Sequence, residues 1–199
     1  MRTIVALNGQ KFQFEFKKDD VIICCDGAYE HLKSIGVVPT VILGDFDSLG
    51  YVPEGAKVFP VEKDFTDGEL AVTEALKYPD NEVVIIYAGG LREDHFLGNL
   101  SLLLLAREKN LNARIETEYS SIFYTEGDFT AFAGEGKTVS VVPLRETLVF
   151  GSDGLKYAYR ETKLLPSSTL GLSNVAVKDY FRLEITYGAV FVIINKKQL

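Results

Sequence analysis

Short apolar runs closed by polar or glycine-containing segments divide the chain into a regular succession of elements. Residues 3–7 form a β-rich run that ends in Asn8-Gly9, a turn signal. Val21-Ile22-Ile23-Cys24-Cys25 is apolar without interruption, the pattern of a strand buried on both faces. Residues 29–35 then read as a helix closed by Gly36, and Pro39 leads into a strand at 41–43. A strand at 57–61, a helix at 68–76, a strand at 82–87 and an apolar helix at 96–109 continue the series. This alternation of strand and helix is the grammar of a parallel α/β sheet, in which function gathers at the carboxyl ends of the strands.

Beyond residue 110 the pattern changes. Arg114 to Tyr119 alternates, and strands with glycine-containing turns follow at 129–132, 138–143, 147–150, 182–187 and 189–194. Regularly spaced short strands of this kind predict an antiparallel sandwich or barrel. The chain therefore reads as an α/β domain over residues 1–125 and a β-sandwich domain over 126–199.

Composition narrows the classes. With 199 residues, 47% hydrophobic and 25% charged, the chain is of ordinary globular make-up. A net charge of -7 argues against a dedicated nucleic-acid or anionic-membrane surface. No run reaches the ~20 apolar residues of a membrane span, and the amino terminus lacks a full signal-peptide pattern, so cytoplasm is the expected compartment. Cys24 and Cys25 are neighbours in a strand and would face opposite ways, which makes a bridge between them unfavourable and a packing role the expectation.

The candidate chemistry lies at the strand exits. Asp45 and Asp47 follow an apolar run at spacing i, i+2, which in an extended chain puts both carboxylates on one face. Such a pair suits magnesium, a hard cation held by carboxylates and substrate phosphates; it also suits a plain strand-to-turn junction. Asp26 closes the preceding strand. Lys63, Asp64, Thr66 and Asp67 cluster before a helix that Thr66 or Asp67 can cap, and Arg92 and Asp94 follow Gly89-Gly90. Arg92 can grip phosphate, and Asn99 falls on the helix face of His95. Four acidic exits with glycines and two basic residues predict a metal and polyphosphate site. Gly136-Lys137-Thr138 imitates the end of a P-loop, but Ala131 replaces its first glycine and a β-branched run follows where a helix is required.

Asp26-Gly27-Ala28, Gly44-Asp45-Phe46-Asp47-Ser48, Lys63-Asp64-Phe65-Thr66-Asp67 and Gly90-Leu91-Arg92-Glu93-Asp94-His95 with Asn99 resemble, in order, the motifs of thiamine pyrophosphokinases. Gly154-Leu155-Lys156-Tyr157 and Leu172-Ser173-Asn174 resemble that family's second domain. The resemblance implies transfer of diphosphate from ATP to the hydroxyl of thiamine, giving thiamine diphosphate and AMP, with Mg2+, in a homodimer that binds thiamine between subunits. It casts Asp45, Asp47, Asp67 and Asp94 as catalytic carboxylates, the first three as metal ligands. Asp26, Gly27, Lys63, Asp64, Thr66, Arg92 and His95 fall to the nucleotide and phosphates, and Tyr157, Ser173, Asn174 and Asn99 to thiamine. Taken alone, Ser173-Asn174 reads as a turn between strands.

The chain departs from the family twice. Tyr157 stands where the family often has Trp, the stronger cation-π partner, and Ala28 replaces a usual glycine, whose absence predicts a slightly restricted backbone approach to the ligand. Three rival activities use similar motifs: a diphosphokinase for another hydroxymethyl heterocycle, a metal-dependent phosphohydrolase, and a non-catalytic nucleotide or thiamine sensor.

Overall fold

The computed structural model describes residues 1–196, which belong to two compact units dividing between Thr117 and Glu118. The first unit contains six strands, β1 (Arg2–Ala6), β2 (Val21–Cys25), β3 (Val41–Gly44), β4 (Lys57–Val58), β5 (Glu82–Ile86) and β6 (Ala113–Glu116). Three helices accompany them: α1 (Ala28–Ser34), α2 (Asp67–Glu74) and α3 (Glu93–Glu108). The strands run in the order β6-β5-β1-β2-β3-β4, and every pairing is parallel.

Continuous apolar runs give continuously buried strands. Even-numbered residues Ile4, Ala6, Ile22, Cys24, Val84 and Ile86 pack with Ala28 and Leu32 of α1 in one cluster. Val5, Ile23, Cys25, Val83 and Ile85, of opposite pleat parity, are equally buried on the other face. The two cysteines are free and on opposite faces, as their adjacency in a strand requires. Ala28, the first residue of α1, is wholly buried, so its methyl packs in the core and does not restrict the cleft, contrary to the expectation from sequence. β4 stops at Val58, earlier than the expected residue 61, because Pro60 has no N–H to give a ladder.

The order of strands places a switch point beside β1. The chain steps outward through β2, β3 and β4, then returns to the other side of β1 as β5. Crevices outside the carboxyl ends at such a point are the usual ligand sites of parallel sheets.

The second unit is all β. Strands β7 (Ser120–Thr125), β9 (Thr138–Pro143), β12 (Asn174–Val175) and β14 (Val190–Asn195) form the order β12-β9-β14-β7. Strands β8 (Phe129–Phe132), β10 (Thr147–Asp153), β11 (Arg160–Leu164) and β13 (Tyr180–Tyr187) form the order β11-β10-β13-β8. The pairings within both groups are antiparallel. Their inward residues, among them Val139, Val141, Val149, Leu164, Phe181, Leu183 and Val192, share one core. β7 pairs with β14, so residues 120–125 belong with the second unit, although the change of sequence pattern put the division near residue 125. No helix among the described residues is long and apolar enough to cross a membrane.

Candidate active site

Segments leaving β1, β2, β3, β4 and β5 enclose a cavity of about 460 Å3, within the usual range for small-molecule sites. Its first wall is Leu7-Asn8-Gly9. This segment continues β1 along the exit of β5, with Gly9 N donating to Tyr87 O at 2.8 Å and Gln10 N to Gly89 O at 2.7 Å. Gly9 is required there, since a Cβ would stand 2.3 Å from Tyr87 O. Asn8-Gly9 is thus a bend that follows the neighbouring strand rather than a hairpin turn.

At three strand exits a non-glycine residue takes a left-handed backbone: Asp26 at φ 42°, Phe46 at φ 60° and Tyr87 at φ 59°. Conformations of this kind cost free energy, and they concentrate at functional sites where the surrounding fold imposes them. Here they turn the chain out of β2, β3 and β5, where Asp26, Asp45 and Ala88 reach the cavity lining. The convergence of Asp45 and Asp47 has this origin. Extended-strand periodicity does not produce it, because β3 has already ended at Gly44. Phe46 is buried as the pivot, and Asp47 N donates to Asp45 Oδ1 at 3.3 Å.

Carboxylate oxygens of Asp26, Asp45 and Asp47 lie within 4.8 Å of one another. Asp26 is 8% exposed; its Oδ2 accepts from Ser48 Oγ at 2.6 Å, while Oδ1 is buried with no hydrogen-bond partner. Asp67 stands apart from this trio. It joins Asp45 through Lys63, whose Nζ donates to Asp45 Oδ2 at 2.9 Å and lies 3.0 Å from Asp67 Oδ1. The second contact is an ion pair without hydrogen-bond direction, which leaves Asp67 Oδ1 buried and undonated. The Lys63 hydrogen bond holds the Asp45 carboxyl below its ordinary range. Burial pushes Asp67 up, against the pull of Lys63. Burial also opposes the charge on Lys63, but its two carboxylate partners outweigh it and raise the ammonium above its usual value.

Thr66 proves to be the cap of α2, its side-chain oxygen accepting from Glu69 N at 3.3 Å, and Asp67 opens the helix. α3 begins at Glu93, ahead of the expected start, so Asp94 lies in its first turn and is not its cap. Asp94 is exposed and bonded through both oxygens to Arg92, whose guanidinium pulls it down to about 2. Arg92, His95 and Asn99 line the cavity, and Asn99 Nδ2 donates to Ala88 O at 2.6 Å. Asp64 is exposed and outside the lining, and Gly27 backs it, where a Cβ would meet the Asn8 side chain at 2.5 Å.

Sequence reasoning overlooked Cys25 as a site residue. It lines the cavity and its Sγ donates to Asp67 O at 3.5 Å, while burial drives its thiol pKa well up. Adjacent cysteines in an apolar run give no signal of this; only the strand order brings β2 beside α2.

In the second unit the two carboxy-terminal motifs meet. Lys156 N donates to Val175 O and Val177 N to Gly154 O, both in a short antiparallel contact. Asn174 is buried, and its amide grips the backbone of Tyr157: Oδ1 accepts from Tyr157 N at 3.0 Å and Nδ2 donates to Tyr157 O at 2.7 Å. Oδ1 also accepts from Val175 N at 2.8 Å. The amide is therefore spent on positioning Tyr157, whose ring is exposed with Lys156 Nζ 5.5 Å from its centroid. Ser173 is exposed in a left-handed turn at φ 57°.

A parallel α/β sheet with carboxylates, a lysine and glycine-lined backbone gathered at its switch point is the arrangement in which α/β proteins bind small ligands. A model of the thiamin pyrophosphokinase catalytic domain matches residues 12–115, and the chain belongs to that family. A relative, the thiamine pyrophosphokinase of Bacillus subtilis (strain 168), is 28% identical over 173 residues, 81% of each chain. The fold matches a crystal structure of thiamine pyrophosphokinase from Bacillus subtilis with TM-score 0.87 at 23% identity over 100% of both chains. It also matches thiamin pyrophosphokinase from Candida albicans with TM-score 0.82 at 18% identity, over 98% of this chain and 88% of that one.

Proposed function

We propose that the chain transfers diphosphate from ATP to the hydroxyl of thiamine, with Mg2+, and acts as a cytoplasmic homodimer. Family membership supports the reaction, and one observation supports the metal: Asp26, Asp45 and Asp47 each bring a carboxylate oxygen within 4.8 Å of the others, and Asp26 also carries a buried oxygen, Oδ1, without a hydrogen-bond partner. Three hard anionic oxygens close together, beside a buried oxygen with no donor, fit a magnesium ion. Asp26, Asp45 and Asp47 would hold it. The sequence motifs cast Asp67 as a ligand; its place across Lys63 gives it the role of an outer carboxylate that orients the lysine. Bound there, Mg2+ supplies charge neutralisation and alignment of phosphate oxygens.

The protein groups do the rest by position. Lys63 and Arg92 provide fixed positive charge for the transferred diphosphate and the departing AMP. Gly9, Gly27 and Gly89 keep the wall near the cleft free of side chains. Tyr157, clamped by Asn174, offers a ring face to the thiamine cation, and Ser173 a hydroxyl beside it. Two free cysteines and the need for ATP support a cytoplasmic setting.

The test incubates purified protein with ATP, Mg2+ and thiamine and separates the products by chromatography. Thiamine diphosphate and AMP are expected in equal amounts and only when thiamine is present. Asp45→Asn is expected to lower turnover by about a hundredfold or more with an unchanged circular dichroism spectrum. Orthophosphate or pyrophosphate release without thiamine would identify a phosphohydrolase instead.

A further inference from the structure

Lys63 carries a side chain only 8% exposed, between two carboxylates from different strand exits. Its ammonium is bonded to Asp45, one of the three residues whose oxygens converge. Both oxygens of Asp45 are thereby engaged, Oδ2 by Lys63 and Oδ1 by Asp47 N. Asp26, Asp45 and Asp67 line one cleft, with Asp47 exposed beside Asp45, and among the described residues Lys63 is the cation that pairs with Asp45 and Asp67. Buried like charges are stable side by side only with a counter-charge between them.

We infer that Lys63 is an internal stand-in for the metal: it neutralises the carboxylates before Mg2+ arrives, and exchanges with Mg2+ at Asp45 Oδ2 when it does. This rests on the metal reading of Asp26, Asp45 and Asp47 above. The exchange has a use. A lysine released from Asp45, still tethered beside Asp67 at i+4, becomes available to phosphate oxygens at the moment the metal is in place. A cleft with metal but no phosphate-facing cation, or with the reverse, is then avoided. A strong charge-assisted bond to Asp45 makes Lys63 a competitor of the metal in the absence of nucleotide.

The experiment reads metal binding and lysine exposure without turnover. In the wild-type protein without nucleotide, acetylation by an N-hydroxysuccinimidyl ester is followed by mass spectrometry. Lys63 is expected to react slowly without Mg2+ and several-fold faster when Mg2+ is saturating, with exposed lysines such as Lys178 unchanged. Calorimetric titration with Mn2+ is expected to show Lys63→Met binding about tenfold tighter than wild type, the scale of one competing charge-assisted bond. Unchanged Lys63 labelling, or a Lys63→Met affinity equal to or below that of wild type, overturns the exchange. An Asp45→Asn control separates the two readings. Metal binding that is lost in Asp45→Asn while Lys63 stays unmoved sinks only the exchange. No metal uptake by the wild type sinks the carboxylate site and the exchange together.

Discussion

At Gly44 the backbone has φ 152°, and a Cβ there would lie 3.1 Å from both Cβ and N of Asp26. The neighbouring strand exit is therefore seated against bare backbone, which keeps Asp26 within reach of Asp45. Gly44→Ala strains the turn and pushes on Asp26 at once. It is expected to cost about 2 kcal/mol, seen as a lower midpoint in urea unfolding, and to weaken Mg2+ binding in calorimetry. Wild-type stability together with wild-type affinity would show that the approach is not needed. Single residues were legible to different degrees. Asp45, Lys63, Asp67 and Arg92 announce themselves as charges at the ends of apolar runs. That Asp26, and not Asp67, sits with Asp45 and Asp47 depends on left-handed turns at Asp26 and Phe46, neither a glycine, which no residue preference signals. Asn174 looks like a polar turn residue in sequence; only its contacts reveal a clamp on Tyr157.

Elements were legible where burial imposes a period. The buried strands of the first unit and α1 to α3 stand out because each must hide an apolar face or run. β11 has the sequence RETKL and pairs along one side only, with β10, so it shows no such period. β12 spans two residues, too short to carry a pattern. Polar contacts that start an element are equally silent. Arg2, at the head of β1, donates to Asp20, just before β2, through Nε at 2.9 Å and Nη2 at 2.6 Å, and to Glu15 O at 3.0 Å. Burial works against the Asp20 carboxylate, but Arg2 and the Lys17 N–H outweigh it and hold its pKa below the ordinary value. A carboxyl depressed in the folded state contributes stability fully above its unfolded pKa, near 4, and loses it as pH falls through the lower folded value. Asp20→Asn is expected to cost about 2 kcal/mol at pH 7, with the gap to wild type narrowing as pH falls below the ordinary carboxylate range. Urea unfolding at neutral and acid pH checks this, and a gap independent of pH would assign the loss to packing instead of charge.

At the scale of the molecule, the carboxylates of Asp26, Asp45 and Asp47 and the ring of Tyr157 belong to different compact units of the chain. The proposed homodimer, with thiamine bound between subunits, makes this separation testable without a bound ligand. Asp45→Asn disables the first unit of one chain, and Tyr157→Ala removes the ring offered by the second unit. Suppose each site draws its first unit from one subunit and its second from the partner. A dimer holding one chain of each variant then has one site with both defects and one with neither. Co-expression under two different affinity tags, with purification through both, isolates that mixed dimer. Its activity is expected at about half the wild-type value per dimer, against near-background values for each variant alone. Sites contained within single chains would leave every site of the mixed dimer defective. A mixed dimer no more active than its parents would thus show that each chain completes its own site. A preparation that runs at the 22.1 kDa mass of one chain in light scattering would remove the dimer itself.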